Sequence, residues 1–178
     1  MLDAATRLLA ANPGASTQAI AEAAAISRAS LHRLFPSRVA LVDEIAAVAV
    51  ERVAGAIAAS RVDEGPALEA ITRLTESVVG VVDGFAFLTT EMELQGWRRF
   101  RAEDRRVEDI LTRLFTRGQE AGALRADLPA AWLVRSYAWL LYAVAVAQQR
   151  GDIARREAAR LVLSSFLRGA AAPGAAVW

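Results

Sequence analysis

From Leu2 onward, apolar side chains recur three and four positions apart, and clusters of glycine and proline cut that pattern into helix-length pieces. The cuts fall at NPGAS (12–16), FPSR (35–38), DEGP (63–66), DGF (83–85), QGW (95–97), EAGALRADLP (120–129) and RGD (150–152). Long period-two alternation and Asn-Gly turns are both absent, so the chain carries no strand-pairing signal. The pattern predicts an all-α fold of about nine helices.

The pieces are unequal. Three short ones occupy residues 2–35 and longer ones the remainder, which divides the chain into a small N-terminal module, 1–45, and a larger helical body, 46–178. With 178 residues, 54% of them hydrophobic, the chain can bury a sizeable core and keep apolar surface for a partner. Composition also excludes several chemistries. There is no cysteine, hence no disulfide, thiolate metal site or cysteine nucleophile, and the single histidine has no companion ligand. Ser27 lacks a neighbouring base, and neither a P-loop nor a G-x-G-x-x-G run is present. No catalytic residue, metal site or cofactor is expected. A formal charge of +1 provides no global basic footprint, so any nucleic-acid contact has to be local.

Residues 16–38 offer such a place. Ser16 is suited to cap a helix over 17–23, with Ile20 and Ala23 pointing inward. A short connection, Ala24-Ala25-Ile26, leads to a second capping residue, Ser27. Stepped at ~100° per residue from Arg28, Leu31, Leu34 and Phe35 fall at about 300°, 240° and 340°, a packing face. Arg28, His32, Ala29 and Arg33 fall at about 0°, 40°, 100° and 140° on the other side. Pro36 then forbids continuation, because it removes a donor and clashes with the preceding turn. Two capped helices joined by a short turn make a helix-turn-helix. A second helix bearing small, basic and hydrogen-bonding groups on its free face suits the major groove. The expected DNA contacts are Arg28, Ala29, His32 and Arg33 from that face. Thr17, Gln18, Ser27, Ser30 and Arg38 lie near helix N-termini suited to phosphates. A linking helix is expected to begin at Ser37 and run to about Ser60.

The same residues carry a family likeness. IAEAAAISRASLHRLFPSRVAL (20–41) resembles the DNA-binding signature of the tetracycline-repressor (TetR) family, I-A-x-x-A-G-V-S-x-x-T-L-Y-x-H-F-x-[SN]-K-x-x-L, matching it at Ile20, Ala21, Ala24, Ser27, Leu31, Phe35, Ser37 and Leu41. GQEAGALRADLP (118–129) and FLRG (166–169) are similar to the family's entry to its penultimate helix and to its closing helix. The resemblance implies a transcriptional regulator that binds a palindromic operator and responds to a small-molecule effector held in the helical body. Most members repress and some activate. Departures are informative. Ala25 replaces the customary turn glycine, which is tolerable only if its φ stays negative. His32 stands where tyrosine is common, and Leu34 replaces a frequent histidine. Many members carry a basic arm before the first helix. The sequence begins at that helix, and residues 1–50 hold four arginines against four acids, so phosphate affinity is expected to be on the weak side if no such arm precedes it, a misassigned start being the equal alternative.

In the body, Phe85, Phe87, Trp97, Phe115, Trp132, Tyr137, Trp139 and Tyr142 can each be core, but as a set interleaved with Thr89, Thr90, Glu91 and Gln95 they suit a cavity wall. The effector lining expected is Phe87, Glu91, Trp97, Trp139 and Tyr142. The run WRRFRAEDRR (97–106) reads as a solvated inter-helix segment. A helix over 153–168 would spread Leu161, Ser165, Val162, Phe166, Leu163 and Leu167 over an arc of about 240°. One core needs a stripe of only ~100°. Between Leu128 and Ala147 the preceding helix has Arg135 as its only charge. Two such helices should pair with their own copies, giving a homodimer through residues 128–168. The apolar stretch WLVRSYAWLLYAVAVA (132–147) has 16 residues, an internal Arg135 and no leader upstream at MLDAATRLLA. That is short of the ~20 a membrane span needs, so a cytoplasmic protein with no membrane contact is expected. The rival from another class is a helical ligand-binding or adaptor protein that kept the fold and lost DNA binding.

Overall fold

The computed structural model describes residues 1–82 and 98–174, and its regular structure is α-helical. Among the described residues there are eight α-helices and no strand, only an isolated bridge between Leu124 and Ala171. Helices α1 (Leu2–Ala11), α2 (Thr17–Ala23) and α3 (Arg28–Leu34) form the N-terminal module. Helix α4 (Arg38–Ala59) leads out of it into α5 (Ala67–Val79), α6 (Arg98–Glu120), α7 (Ala130–Arg150) and α8 (Ala158–Ala170).

Local chemistry sets most of the ends. Ser16, Ser27 and Ser37 each accept a hydrogen bond from the backbone N–H three residues on, at 3.2, 3.0 and 3.1 Å, capping α2, α3 and α4. Pro66 and Pro129 precede α5 and α7, where the missing N–H costs no helical bond. Gly151, at φ 78°, closes α7, with Asp152 N–H reaching back to Ala147 O at 2.9 Å. Three elements differ from expectation. The last helix begins at Ala158 rather than near residue 153, because residues 155–157 make a 3₁₀ turn in which Glu157 accepts from Ala154 N–H. The arginine-rich run from Arg98 on is the start of α6 rather than an inter-helix segment. Helix α7 is 21 residues long, so by length and composition it could cross a membrane, although Leu133, Val134, Tyr137, Val144 and Ala145 are buried in this fold.

Two separate cores form, and α4 serves both. Leu9, Ile20, Leu31, Leu41, Val42 and Ile45 are buried in the N-terminal cluster, which extends to Ala49. From Val53 onward α4 packs into the body with Ile71, Leu74, Phe115, Leu133 and Phe166. The change of core therefore lies inside one continuous helix. At its far end Ser60 and Arg61 turn the chain, Arg61 at φ 48°. Arg73 fixes that corner by donating to Ser60 O, Arg61 O and Glu64 O, and Arg117 donates to Val62 O at 2.6 Å. Deep in the body, Thr75 donates to Ile71 O at 2.7 Å, which leaves its oxygen to accept from Tyr137 at 2.9 Å. Burial holds the Tyr137 phenol well above its ordinary range, so it stays a neutral donor.

Candidate nucleic-acid interface

Helices α2 and α3 meet through Ile20, Ala21 and Leu31, all buried. Ala21 takes the inward place expected for Ala23, which is exposed. The turn between them uses the left-handed region: Ala25 has φ 54°, and Ile26 N–H reaches Ala21 O at 3.0 Å. The condition that Ala25 avoid a positive φ is not met. The chain keeps the tight turn and accepts a residue with a Cβ there, at a cost of roughly 1–2 kcal/mol.

Helix α3 presents Arg28, Ala29, His32 and Arg33 to solvent, as its periodicity predicts. Within the described residues, no hydrogen bond or ion pair engages the side chains of Arg28, His32 or Arg33. From residue 23 to residue 42 there is no acidic side chain, so these groups face outward without internal neutralisation. Leu34 departs from the periodicity. It was expected on the packing face, but its side chain is 54% exposed, because Pro36 turns the chain away one residue after Phe35 and Leu31 alone carries the buried contact.

The other expected contacts are partly occupied within the chain. Thr17 is exposed at the first position of α2, while Gln18 donates to Glu22 at 2.6 Å along the same helix. The Ser27 hydroxyl caps α3 and donates to the Ser30 hydroxyl at 2.9 Å. Arg38 turns its guanidinium back, donating to Ala15 O at 3.0 Å and to Pro13 O. It thereby ties the 12–16 loop to the start of α4. A surface hollow of about 390 Å³ opens at this junction, with Thr17, Ser37 and Arg38 on its rim.

The body residues divide differently. Phe87, Glu91 and Trp97 lie outside the described residues. Trp139 and Tyr142 meet edge to face at 5.4 Å between ring centres, but Trp139 is 56% exposed and Trp132 60% exposed. Both tryptophans are thus largely exposed on α7 in the single chain. Phe115 and Tyr137, with Phe166, form a buried aromatic cluster with ring centres 5.2–5.7 Å apart, and are core. No cluster of residues suited to a metal ion occurs among the described residues.

Comparison with known proteins agrees with this geometry. Residues 1–45 match the family model for bacterial regulatory proteins of the tetR family. The chain is 29% identical over 170 residues to the HTH-type transcriptional regulator NfxB of Pseudomonas aeruginosa, covering 90% of this chain and 87% of that one. The crystal structure of the TetR-like regulator LfrR from Mycobacterium smegmatis in complex with proflavine superposes with a TM-score of 0.78 at 24% identity, over 94% of this chain and 92% of that one. The TetR family regulator PfmR from Thermus thermophilus also gives 0.78, at 22% identity, over 94% and 97%. Residues 1–45, a capped helix-turn-helix with outward-facing basic groups, thus match the DNA-binding model of the tetR family, and the chain as a whole is similar to a helix-turn-helix transcriptional regulator and shares the fold of TetR-like regulators.

Proposed function

We propose that this protein is a ligand-responsive repressor that acts as a homodimer in the cytoplasm, binds a palindromic operator and leaves it when a small molecule occupies the body. The observation that carries the DNA reading is α3: seven residues, capped at its start, with Arg28, His32 and Arg33 on one face and engaged by no side chain or carbonyl among the described residues. Residues 1–45 would read DNA and 46–178 would bind effector and dimerise. Base edges would be met from Arg28, Ala29, His32 and Arg33, and phosphates from Thr17, Gln18, Ser27, Ser30 and Arg38, those last through the two helix starts.

Dimerisation is supported by the outer face of α7, where Trp132 and Trp139 stand exposed one heptad apart with only Arg135 as a charge between them. Helix α8 adds less than expected, since Val162, Phe166 and Leu167 are consumed by the chain's own core and only Leu161 and Leu163 remain half-covered. A two-fold axis through α7 and α8 would set two reading heads ~34–36 Å apart, one DNA turn. Effector binding draws on the proflavine held by LfrR, a protein of the same fold. The continuous α4, packed into both cores, offers a rigid connection by which a ligand favouring one head spacing shifts the population away from DNA.

A gel shift against the promoter region adjoining the gene tests the DNA reading. Retardation of that fragment, competed by itself and not by bulk DNA, is expected. Absence of any sequence-selective complex would favour the adaptor reading. Small molecules that raise the melting temperature would then be screened for release of the complex.

A further inference from the structure

Histidine is the residue type whose side chain changes charge near neutrality, at about pH 6.5, while carboxylates titrate well below and guanidinium well above. The chain has a single histidine, no cysteine, and arginine at all 21 of its lysine or arginine positions. By residue type, then, one side chain changes charge near neutral pH. It is His32, and it stands on α3.

His32 lies within the outward face of that helix. In projection it falls at about 40°, inside the arc from Arg28 at about 0° to Arg33 at about 140°, and it is exposed. Among the described residues no hydrogen bond or ion pair engages its ring. The charged groups of the elements around it are placed otherwise. Arg28 and Arg33 flank it on α3 itself. On α2, Glu22 accepts from Gln18 at 2.6 Å. On α1, Asp3 pairs with Arg52 at 2.6 Å and Arg7 is exposed. At the start of α4, Arg38 turns to Ala15 O and Pro13 O, and Asp43 and Glu44 beyond it are exposed. None of these groups bonds to or pairs with His32. Between residues 23 and 42 there is no acid at all. Negative charge for an imidazolium at this place therefore has to come from outside the chain. DNA brings it, because a field of phosphates favours the charged form of any base set against it. The charged ring also donates from both nitrogens, where the neutral ring donates from one. Tyrosine, common at this position in the family the sequence resembles, would donate without changing charge near neutrality.

We propose that His32 meets DNA as an imidazolium, its ring N–H groups donating to nucleic-acid acceptors, so that each reading head takes up a proton as it binds. The proposal rests on α3 being the recognition helix. The acceptor is a phosphate oxygen or the O6/N7 edge of a guanine, which offer the same chemistry to a cationic donor. Linkage fixes the sign. The protonated head binds better, so affinity rises as pH falls and levels off once the unbound protein already carries the proton.

The test starts with the full-length protein and an operator selected from randomised duplexes. Affinities of the unaltered protein and of His32→Gln are measured by fluorescence anisotropy between about pH 7.5 and 5.5, the span in which histidine titrates. Ionic strength is held fixed, because salt alone weakens phosphate contacts. The unaltered protein should bind about tenfold more tightly per reading head at the acid end. His32→Gln, which still donates but does not titrate, should lose that gain. An amino terminus titrates near pH ~8 and is kept in the variant, so it cannot account for the difference. Calorimetry of the unaltered protein, in buffers of different ionisation enthalpy, should show proton uptake on binding near neutral pH. That arm needs no variant, so a folding defect cannot mask the result. A pH-independent affinity, no proton uptake, or an unchanged profile in His32→Gln overturns the proposal. A duplex without the operator identifies the acceptor: the same pH dependence on it means phosphate, and dependence on the operator alone means guanine. If the unaltered protein selects no operator at all, the DNA reading itself fails. If it selects one and ignores pH, only the role of His32 does.

Discussion

Ala25 and Arg38 show how much of the reading head rests on single residues. Holding Ala25 at φ 54° costs roughly 1–2 kcal/mol, and glycine would recover most of this while giving back ~0.4–1 kcal/mol in unfolded-chain entropy. Ala25→Gly should therefore raise the melting temperature by about 2–4 °C, read by circular dichroism. A lower melting temperature would mean that the turn does not carry that strain. Arg33→Ala should lose ~1–3 kcal/mol of operator binding with sequence preference relaxed at one base pair, and leave the melting temperature unchanged. Arg38→Ala should behave otherwise, because its guanidinium holds Pro13 O and Ala15 O. It should weaken all sequences alike and also lower stability by ~1 kcal/mol. An unaltered melting temperature would assign Arg38 to DNA alone, and an unaltered salt dependence would assign it to the loop alone.

Among the elements, α4 and α6 carry the consequences. The serine caps and Pro36 define α2, α3 and the start of α4 from neighbouring residues, which is why their limits were legible in the chain. The meeting of α6 with the loop before α7 depends instead on close approach. A Cβ on Gly118 would lie 2.8 Å from Leu124 Cδ1 and 3.3 Å from Ala67 Cβ, and Leu124 also donates to Gly118 O at 3.0 Å. Gly118→Ala should overpack this contact and destabilise the body by ~1–3 kcal/mol despite alanine's better helix propensity. Urea unfolding measures it, and a stabilised variant would show that the loop can yield.

The whole molecule is where the apolar surface of α7 has to be resolved. Light scattering should return twice the chain mass of 19.1 kDa. The double variant Trp132→Arg, Trp139→Arg should scatter as a monomer with the body folded, since both side chains are exposed in the single chain. Losing the second head should then weaken operator binding about 10²–10⁴-fold, as bivalent engagement disappears. A dimer that survives both charges would move the interface elsewhere.

The linear order of residues determined what local physics can determine: helical periodicity, capped ends, the proline stop after α3, and a basic face with no acid nearby. Hydrogen bonds spanning three or four residues write such features into the chain, and they also carried the family likeness. Only the tertiary structure decided which apolar residues are used. Leu34, by periodicity a packing residue, faces solvent, while Val162, Phe166 and Leu167 are absorbed by the chain's own core. Trp139 stands exposed in the single chain, and the guanidinium of Arg38 turns inward to two carbonyls far along the chain. Each outcome depends on which helix arrives opposite a given face. That competition for burial is settled by long-range packing, which periodicity of about 100° per residue does not encode.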